Sequence, residues 1–514
     1  MKWLLGSVRT RSVRFRVAVS ILGNSVRAAI AFFTSIMLAR GLGPSGYGDL
    51  SFLLGSFVAI RSLVDVGASN AFFTFISQRP RGLRLYAFFS AIQLVELALM
   101  FVIIAAVMPD EYVLQIWVNN DRMVVILALL AAFLQQSVWQ AIGQVGEAVR
   151  GTLLVQMGNL VVAVVNLGLM VGLIATGLMS IEHVFIATIV QYLGLSLVMG
   201  GILRRIVPRC DDASSIREIA SEFWKYCRPM IWLSIFGGAY LFLDKWFLQY
   251  FGGSVEQGYF QIAVQFSLIG LLITSSILNV FWKEIAVAWE EGDLERVGKL
   301  YRYASRGLLL LSAGVAGVAL PWAEEITFHF LGPRYVASWP VLAVMVLLPI
   351  FQSLTQINGA MLLACGHTKL YTAIGVFGMA ISIPLSYLAV APTNAVVPGA
   401  EMGAFGIAVK EVGTTFLMAT IQSVAIATYH RWRFDGLFHI IAAMALLLLG
   451  WLSKIAVSTA LAQLDVGSGK WELIFSLGLT GLLMLALLGI LAVWQKNRLK
   501  VVFAIFRFKV PFAN

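Results

Sequence analysis

Apolar residues along this chain fall into long runs separated by short polar connections. Each run holds about 20 residues, enough for a helix to cross ~30 Å of hydrocarbon. A membrane barrel would instead show segments of about 10 residues with alternating polarity. The pattern predicts an all-α polytopic membrane protein with about fourteen transmembrane helices. The predicted spans are 17–39, 48–69, 85–108, 122–143, 152–177, 183–203, 229–251, 258–282, 305–323, 338–364, 368–391, 402–429, 437–461 and 472–495.

Composition agrees with this fold class, because 60% of the residues are hydrophobic and only 12% are charged. Soluble chains carry about 25% charged residues. Most of the 37 lysines and arginines lie in connections on the side of the N-terminus, and the opposite connections hold only Arg40, Arg122, Arg334 and Lys470. The positive-inside rule therefore predicts that both termini lie in the cytoplasm. The net charge of +11 is then explained by attraction to anionic lipid headgroups, without nucleic acid as a partner.

A faint internal repeat relates the two halves of the chain. An offset of 210 residues places Gly43 and Gly48, in the first outer turn, over Gly253 and Gly258, in the fourth. Two halves of equal topology imply a pseudo-two-fold axis along the membrane normal, which is a known plan of transporters.

The repeat and the polar connections predict two pseudo-symmetric six-helix lobes and a C-terminal pair of helices. The predicted parts are an N-terminal lobe (1–207), a cytoplasmic linker (208–228), a C-terminal lobe (229–430), and spans thirteen and fourteen with a basic cytoplasmic tail (431–514).

Two arginines interrupt the first two apolar helices, which a turn at Gly43–Gly48 joins. A charge inside a membrane costs a few kcal/mol, so such a side chain normally faces a bundle interior or a watery cavity. Arg27, near the middle of span one, either receives an anionic group of a substrate or pairs with Glu96 of span three. Arg61 either binds substrate or is neutralised by Asp65 one turn later.

Two further pairs of charges lie inside spans seven and twelve. Asp244 and Lys245 are sequence neighbours, as are Lys410 and Glu411. For each pair, a role in function and a role in helix pairing stay open. The candidates for ion coupling are the acidic residues Asp65, Glu96, Asp244 and Glu411. Lys454, outside both lobes, is assigned a structural or lipid-facing role.

Carboxamides are frequent within the spans, where they either bond neighbouring helices or line a hydrated cavity. Span four alone carries Gln135, Gln136, Gln140 and Gln144. The predicted cavity residues are Arg27, Arg61, Asn24, Asn159, Lys245, Lys410, Gln265 and Gln356.

The sequence predicts neither an enzyme nor a cofactor or metal. No Gly-x4-Gly-Lys-Ser/Thr loop occurs, so this chain does not hydrolyse ATP. A proton or sodium gradient, the membrane potential, or removal of the product would drive any transport. A membrane glycosyltransferase or polymerase would need a sizeable loop with catalytic acids, and no connection is long enough for one.

Three blocks of sequence resemble the Wzx-type polysaccharide flippases of the multidrug/oligosaccharidyl-lipid/polysaccharide (MOP) superfamily, which export O-antigen and exopolysaccharide units. The blocks are LARGLGPSGYGDLSF (38–52), LDKWFLQYFGG with QGYFQIA (243–263), and FLGPRYVASWPVLAVMVLLPIF (330–351) followed by LLACGHTKLYTAIGVFGMAISIPLSYL (362–388). Their order and the arrangement of spans cover nearly the whole chain.

The resemblance implies transport of an undecaprenyl-pyrophosphate-linked oligosaccharide from the cytoplasmic to the periplasmic leaflet of a bacterial inner membrane. It also implies alternating access between two lobes, with a polysaccharide polymerase and a chain-length regulator as candidate partners. Two other functions within the superfamily stay open: a cation-coupled multidrug antiporter and a lipid II flippase.

Overall fold

The computed structural model describes residues 13–207, 214–463 and 470–494, and within these ranges the chain forms helices without any β-strand. Its α-helices are α1 (Val13–Asp65), α2 (Ala68–Gln78), α3 (Leu83–Val102), α4 (Asp110–Ile116), α5 (Arg122–Phe133), α6 (Trp139–Ala148), α7 (Thr152–Ala175), α8 (Ile181–Ile206), α9 (Ile216–Cys227), α10 (Ile231–Phe247), α11 (Gly253–Glu290), α12 (Leu294–Ala319), α13 (Ala323–Ile326), α14 (Trp339–Met345), α15 (Leu348–Ala364), α16 (Thr368–Val390), α17 (Gly403–His430), α18 (Gly436–Gln463) and α19 (Lys470–Trp494). The basic N-terminus, residues 208–213 of the predicted linker and the basic tail after residue 494 lie outside the described residues.

The predicted fold class is confirmed. Among the described residues, 11 helical stretches are long and apolar enough to cross a membrane. Two of them, Gly23–Asp65 and Ile216–Leu271, each overlap two of the predicted spans, and α19 overlaps nearly all of the last predicted span.

The helix α1 is interrupted at Gly43, where the first membrane span ends. Gly43 has φ 71° and ψ 176°, a backbone conformation that residues with a Cβ rarely adopt, and Pro44 follows it inside the helix. Gly253, the residue that the 210-residue offset aligns with Gly43, has nearly the same conformation, with φ 79° and ψ 177°. The repeat predicted from sequence therefore has a counterpart in the backbone.

The two related turns also pack against each other reciprocally. A Cβ added to Gly48 would lie 1.8 Å from the Ser254 carbonyl oxygen, and one added to Gly258 would lie 2.1 Å from the Pro44 carbonyl oxygen. Each contact becomes the other when 210 is added to or subtracted from its residue numbers, as a local two-fold axis requires. Beside the crossing, the Asp49 carboxylate accepts a hydrogen bond from the Ser254 hydroxyl at 2.5 Å.

Contacts group the described residues into two compact units. Unit 1 comprises the described residues of 1–261 and 386–403, and unit 2 those of 262–385 and 404–514. The lobe and linker boundaries predicted from sequence stay a prediction.

The predicted linker contains the amphipathic helix α9, which packs within unit 1. Ile219 and Phe223 of α9 are buried in a cluster with Phe72 and Phe75 of α2 and with Phe89 of α3. Apolar packing of this kind holds the helix in place, together with an ion pair between Glu222 of α9 and the buried Arg81 at 2.9 Å.

In unit 2, an ion pair ties α12 to the loop that precedes α18. The Arg306 guanidinium donates to both carboxylate oxygens of Asp435, from Nε at 2.7 Å and from Nη2 at 2.9 Å. Partial burial alone would raise the pKa of the Asp435 carboxyl, but the hydrogen bonds and charge of Arg306, with Arg302 nearby, lower the pKa below its usual value. Lys454 of α18 is likewise paired, with its Nζ 2.5 Å from a Glu325 carboxylate oxygen.

We expect Gly48→Ala and Gly258→Ala to lower the thermal midpoint of the full-length protein in detergent, because each new methyl group would overlap a carbonyl oxygen. Overpacking of this kind costs about 1–3 kcal/mol, more than the ~1 kcal/mol that alanine gains over glycine in a helix. Gly237→Ala is the matched control, since a Cβ there meets no atom within 4 Å. Equal midpoints for the crossing variants and the control would contradict the close approach.

Acid is expected to weaken the Arg306–Asp435 pair. A carboxyl whose pKa is lowered by folding stabilises the protein above its unfolded pKa of about 3.9, and this stabilisation is lost as the pH falls through the folded pKa. The wild type should therefore be more stable than Asp435→Asn at pH 6, and the difference in thermal midpoint should shrink as the pH falls below 4. A difference that does not change with pH would contradict this account.

Candidate functional site

Arg61 is the centre of a hydrogen-bond network in unit 1. The left-handed Gly67 (φ 84°) separates α1 from α2 and brings Ser69 back beside the last turn of α1. The Arg61 Nη1 group donates to the backbone carbonyl of Gln136 and to the Gln140 side-chain oxygen at 3.0 Å, and Nη2 donates to the Ser69 hydroxyl at 3.1 Å. The guanidinium is thus held mainly by neutral acceptors.

Asp65 joins this network through a bridging hydroxyl. The Ser69 Oγ donates to Asp65 Oδ1 at 2.6 Å and accepts from Arg61, so the predicted pair of Arg61 and Asp65 is linked through Ser69. Sequence reasoning missed Ser69. Its position four residues after Asp65, across a glycine, is a signal that could have identified it.

Glu96 of α3 lies within electrostatic range of both Arg61 and Asp65. The basic group beside Glu96 is therefore Arg61, whereas Arg27 is exposed and has Tyr192 as its electrostatic neighbour. One guanidinium and two carboxylates thus interact electrostatically in this part of unit 1. The Arg61 Nε atom is buried and has no hydrogen-bond partner among the described residues.

An open cavity of about 430 Å³ lies next to Arg61. Four glutamines line it, at the positions singled out in span four: Gln135, Gln136, Gln140 and Gln144. Phe73, Trp139, Gly143, Glu147 and Asn159 complete its wall.

A π-helical turn at Leu134–Val138 joins α5 to α6 and shapes this wall. Such a turn inserts an extra residue into the helix. The side chains after the turn are therefore rotated about the helix axis relative to those before it. The turn presents Gln135 and Gln136 together to the cavity. The predicted cavity residue Asn159, on α7, accepts a hydrogen bond from the Trp139 ring nitrogen at 2.9 Å.

Other predicted residues of unit 1 lie elsewhere on its helices. The aliphatic stem of Lys245 passes over Gly55, where an added Cβ would lie 2.6 Å from the lysine Cδ. Its sequence neighbour Asp244 accepts a hydrogen bond from the Ser386 hydroxyl. Asn24 is half-buried on α1.

The remaining predicted residues belong to unit 2. Lys410 is buried, and its Nζ lies 3.2 Å from a Glu411 carboxylate oxygen and 3.3 Å from the Ser382 hydroxyl. Gln265 is half-buried, and the Gln356 side-chain oxygen is buried without a hydrogen-bond partner among the described residues. Of the predicted set, the structure brings together Arg61, Asp65 and Glu96, with Asn159 in the adjoining cavity wall.

We expect Ser69→Ala to destabilise the protein by about 1–3 kcal/mol, because it removes the hydroxyl that bridges the partly buried Arg61 and Asp65, although the backbone N–H of residue 69 still donates to Asp65. Ser51→Ala is the matched control, since the Ser51 hydroxyl bonds only to the Tyr47 carbonyl of its own helix. Thermal unfolding in detergent measures the difference. The bridging role of Ser69 fails if both variants unfold at the same temperature.

No protein-family model and no curated protein matches the sequence. Solved structures do match. The lipid II flippase MurJ in an inward closed conformation gives a TM-score of 0.68 at 12% identity, over 92% of this chain and 98% of the flippase. An inward-facing multidrug resistance transporter of the MATE family gives a TM-score of 0.60 at 16% identity, over 83% of this chain and 98% of the transporter.

A MOP superfamily transporter from Pyrococcus furiosus matches with a TM-score of 0.53 at 16% identity, over 81% of this chain and 95% of the transporter. The chain therefore shares the fold of these solved structures, which are described as a flippase and as transporters. At these identities the likeness concerns the fold alone.

Proposed function

We propose that this protein is a flippase that moves an undecaprenyl-pyrophosphate-linked oligosaccharide from the cytoplasmic to the periplasmic leaflet by alternating access. The observation that carries the proposal is the Arg61 guanidinium. It lies within a candidate membrane span, is held largely by neutral acceptors, and borders an open cavity lined by carboxamides.

Pyrophosphate is the part of the substrate that Arg61 would bind. A guanidinium presents a planar fork of N–H groups that matches two phosphoryl oxygens, and the bonds are strengthened by charge. The oxygens of Gln140 and Ser69 are neutral acceptors that a pyrophosphate would displace from Arg61. The buried Nε, which has no hydrogen-bond partner among the described residues, supplies a further donor.

Asp65 and Glu96 would couple binding to an ion. Both carboxylates attract Arg61, so each competes with an incoming pyrophosphate for the same positive charge. Protonation of either carboxyl, or a sodium ion bound between them, would remove this competition and favour the substrate. No cofactor and no ATP enter this scheme.

Three lines of evidence support a lipid-linked oligosaccharide. The sequence blocks resemble the polysaccharide flippases, the fold matches a protein described as a lipid II flippase, and carboxamide side chains line the cavity beside Arg61. The proposal includes the bacterial inner membrane, cytoplasmic termini, and a polymerase and a chain-length regulator as partners.

We expect Arg61→Ala to reduce export at least tenfold in a deletion strain complemented with the variant, since hydrogen bonds to charged groups contribute about 1.5–3 kcal/mol. Arg61→Lys should restore part of the activity, because lysine keeps the charge but lacks the fork. Arg84→Ala is a control at an exposed arginine that bonds to the Ser214 carbonyl. The readout is the amount and leaflet of the extracted lipid-linked oligosaccharide, at equal protein levels.

Accumulation of a complete oligosaccharide lipid in the cytoplasmic leaflet of the deletion strain would identify the substrate. Accumulation of lipid II would instead indicate the lipid II flippase. Normal lipid intermediates with new sensitivity to cationic drugs would indicate the multidrug antiporter. Normal export by both Arg27→Ala and Arg61→Ala would contradict a cationic cavity.

A further inference from the structure

The four glutamines beside Arg61 form one continuous surface, here called the carboxamide face (Gln135, Gln136, Gln140 and Gln144). Gln136, Gln140 and Gln144 recur every four residues, which places them in a row along the helix. The π-helical turn adds Gln135 to the same cavity wall. A carboxamide both donates and accepts hydrogen bonds, as a sugar hydroxyl does.

An aromatic ring in a fixed orientation lies next to the carboxamide face. The Trp139 ring nitrogen is bonded to Asn159, and Tyr192 packs edge-on against the ring at a centroid distance of 6.2 Å. Phe73 adds a second aromatic side chain to the cavity wall. An indole held in this way is prepared to contact the apolar face of a sugar ring without losing side-chain freedom on binding.

Charge is scarce in this wall. Glu147 is the one ionisable side chain among the lining residues, and one of its carboxylate oxygens already accepts a hydrogen bond from the Thr152 hydroxyl at 2.8 Å. The Gln144 side-chain oxygen is buried and has no hydrogen-bond partner among the described residues, so it offers an unused acceptor. These features fit a neutral ligand that is rich in hydroxyl groups and fit a charged one poorly.

The dimensions also suit such a ligand. A volume of about 430 Å³ falls within the range of roughly 300–1,000 Å³ that is typical of small-molecule sites. Gly143, between Gln140 and Gln144 in the sequence, belongs to the same wall and leaves space there. A Cβ added there would meet only Val155 Cγ1, at 3.9 Å.

We propose that the carboxamide face is a glycan subsite that binds a neutral hexose or N-acetylhexosamine. The inference rests on the proposed function, because Arg61 bonds to both Gln136 and Gln140 of this face. A pyrophosphate held by Arg61 therefore places the first sugar of the substrate against the glutamines and Trp139. The glycan would be recognised in unit 1 beside its own pyrophosphate.

Binding to the purified full-length protein in lipid nanodiscs tests this subsite. The probes are undecaprenyl pyrophosphate alone and the same lipid carrying galactose, N-acetylglucosamine or glucuronic acid. We expect each neutral sugar to tighten binding about tenfold over the bare lipid, which two hydrogen bonds would supply. Glucuronic acid, whose carboxylate would approach Glu147, should give no gain.

Two variants should remove the gain and leave binding of bare undecaprenyl pyrophosphate unchanged. The double variant Gln135→Met and Gln144→Met replaces carboxamides that do not contact Arg61 by side chains of similar size. Gly143→Leu adds a bulky side chain to the cavity wall, and Gly168→Leu on α7 is its control, since a Cβ at Gly168 meets no atom of the described residues within 4 Å. Binding of the bare lipid also verifies that each variant is folded.

The outcomes separate the two proposals. If the wild type binds the bare lipid but gains nothing from a neutral sugar, or if the variants keep the gain, the glycan subsite is overturned and the pyrophosphate site stands. If the wild type binds none of the probes, the proposed function fails and the subsite fails with it.

Discussion

A guanidinium within an apolar helix must find acceptors and negative charge inside the protein, because hydrocarbon supplies neither. This requirement explains much of the local architecture around Arg61. The left-handed Gly67 turns the chain so that Ser69 bridges Arg61 and Asp65, and the π-helical turn before α6 brings the Gln136 carbonyl to the same guanidinium. Hydrogen bonds to neutral oxygens hold the Arg61 guanidinium in place. An incoming anionic group could replace these neutral acceptors.

The same constraint connects the structure to the proposed function. Arg61 has two competing carboxylates nearby and neutral acceptors that a phosphate would displace. A group whose partners are exchangeable can respond to both a substrate and an ion, and each response alters affinity for the other by linkage. The adjoining carboxamide face extends this group into a cavity that fits a neutral sugar. Charge recognition by Arg61 of α1 and sugar recognition by the carboxamide face would thus meet at Gln136 and Gln140, to which Arg61 bonds.

Sequence patterns predicted the fold well because membranes impose simple rules. Apolar runs gave the spans, and the offset that aligned Gly43 with Gly253 identified two turns that, in the structure, share a backbone conformation and pack reciprocally. The boundaries of compact units are less visible in sequence, because they depend on which helices touch. The contacts of 386–403, for example, place that segment in unit 1, although its sequence neighbours belong to unit 2.

Predictions for the site were less complete for a similar reason. The i, i+4 spacing of Arg61 and Asp65 and the row of glutamines were readable from sequence. The bridging Ser69, the electrostatic interaction of Glu96 with Arg61 rather than with Arg27, and the fixed Trp139 required knowledge of turns and of contacts between distant helices. Spacing along one helix reports neighbours on that helix only.

The distance between Arg61 and a phosphorus atom of bound substrate tests the central claim most directly. Solid-state NMR can measure it between ¹³C-labelled arginine and ³¹P of undecaprenyl pyrophosphate in reconstituted full-length protein, with Arg61→Lys to assign the signal. The account predicts a carbon–phosphorus contact of about 4 Å that disappears in Arg61→Lys, as expected for a hydrogen-bonded guanidinium and phosphate. A bound lipid whose phosphorus lies beyond reach of Arg61 would contradict it.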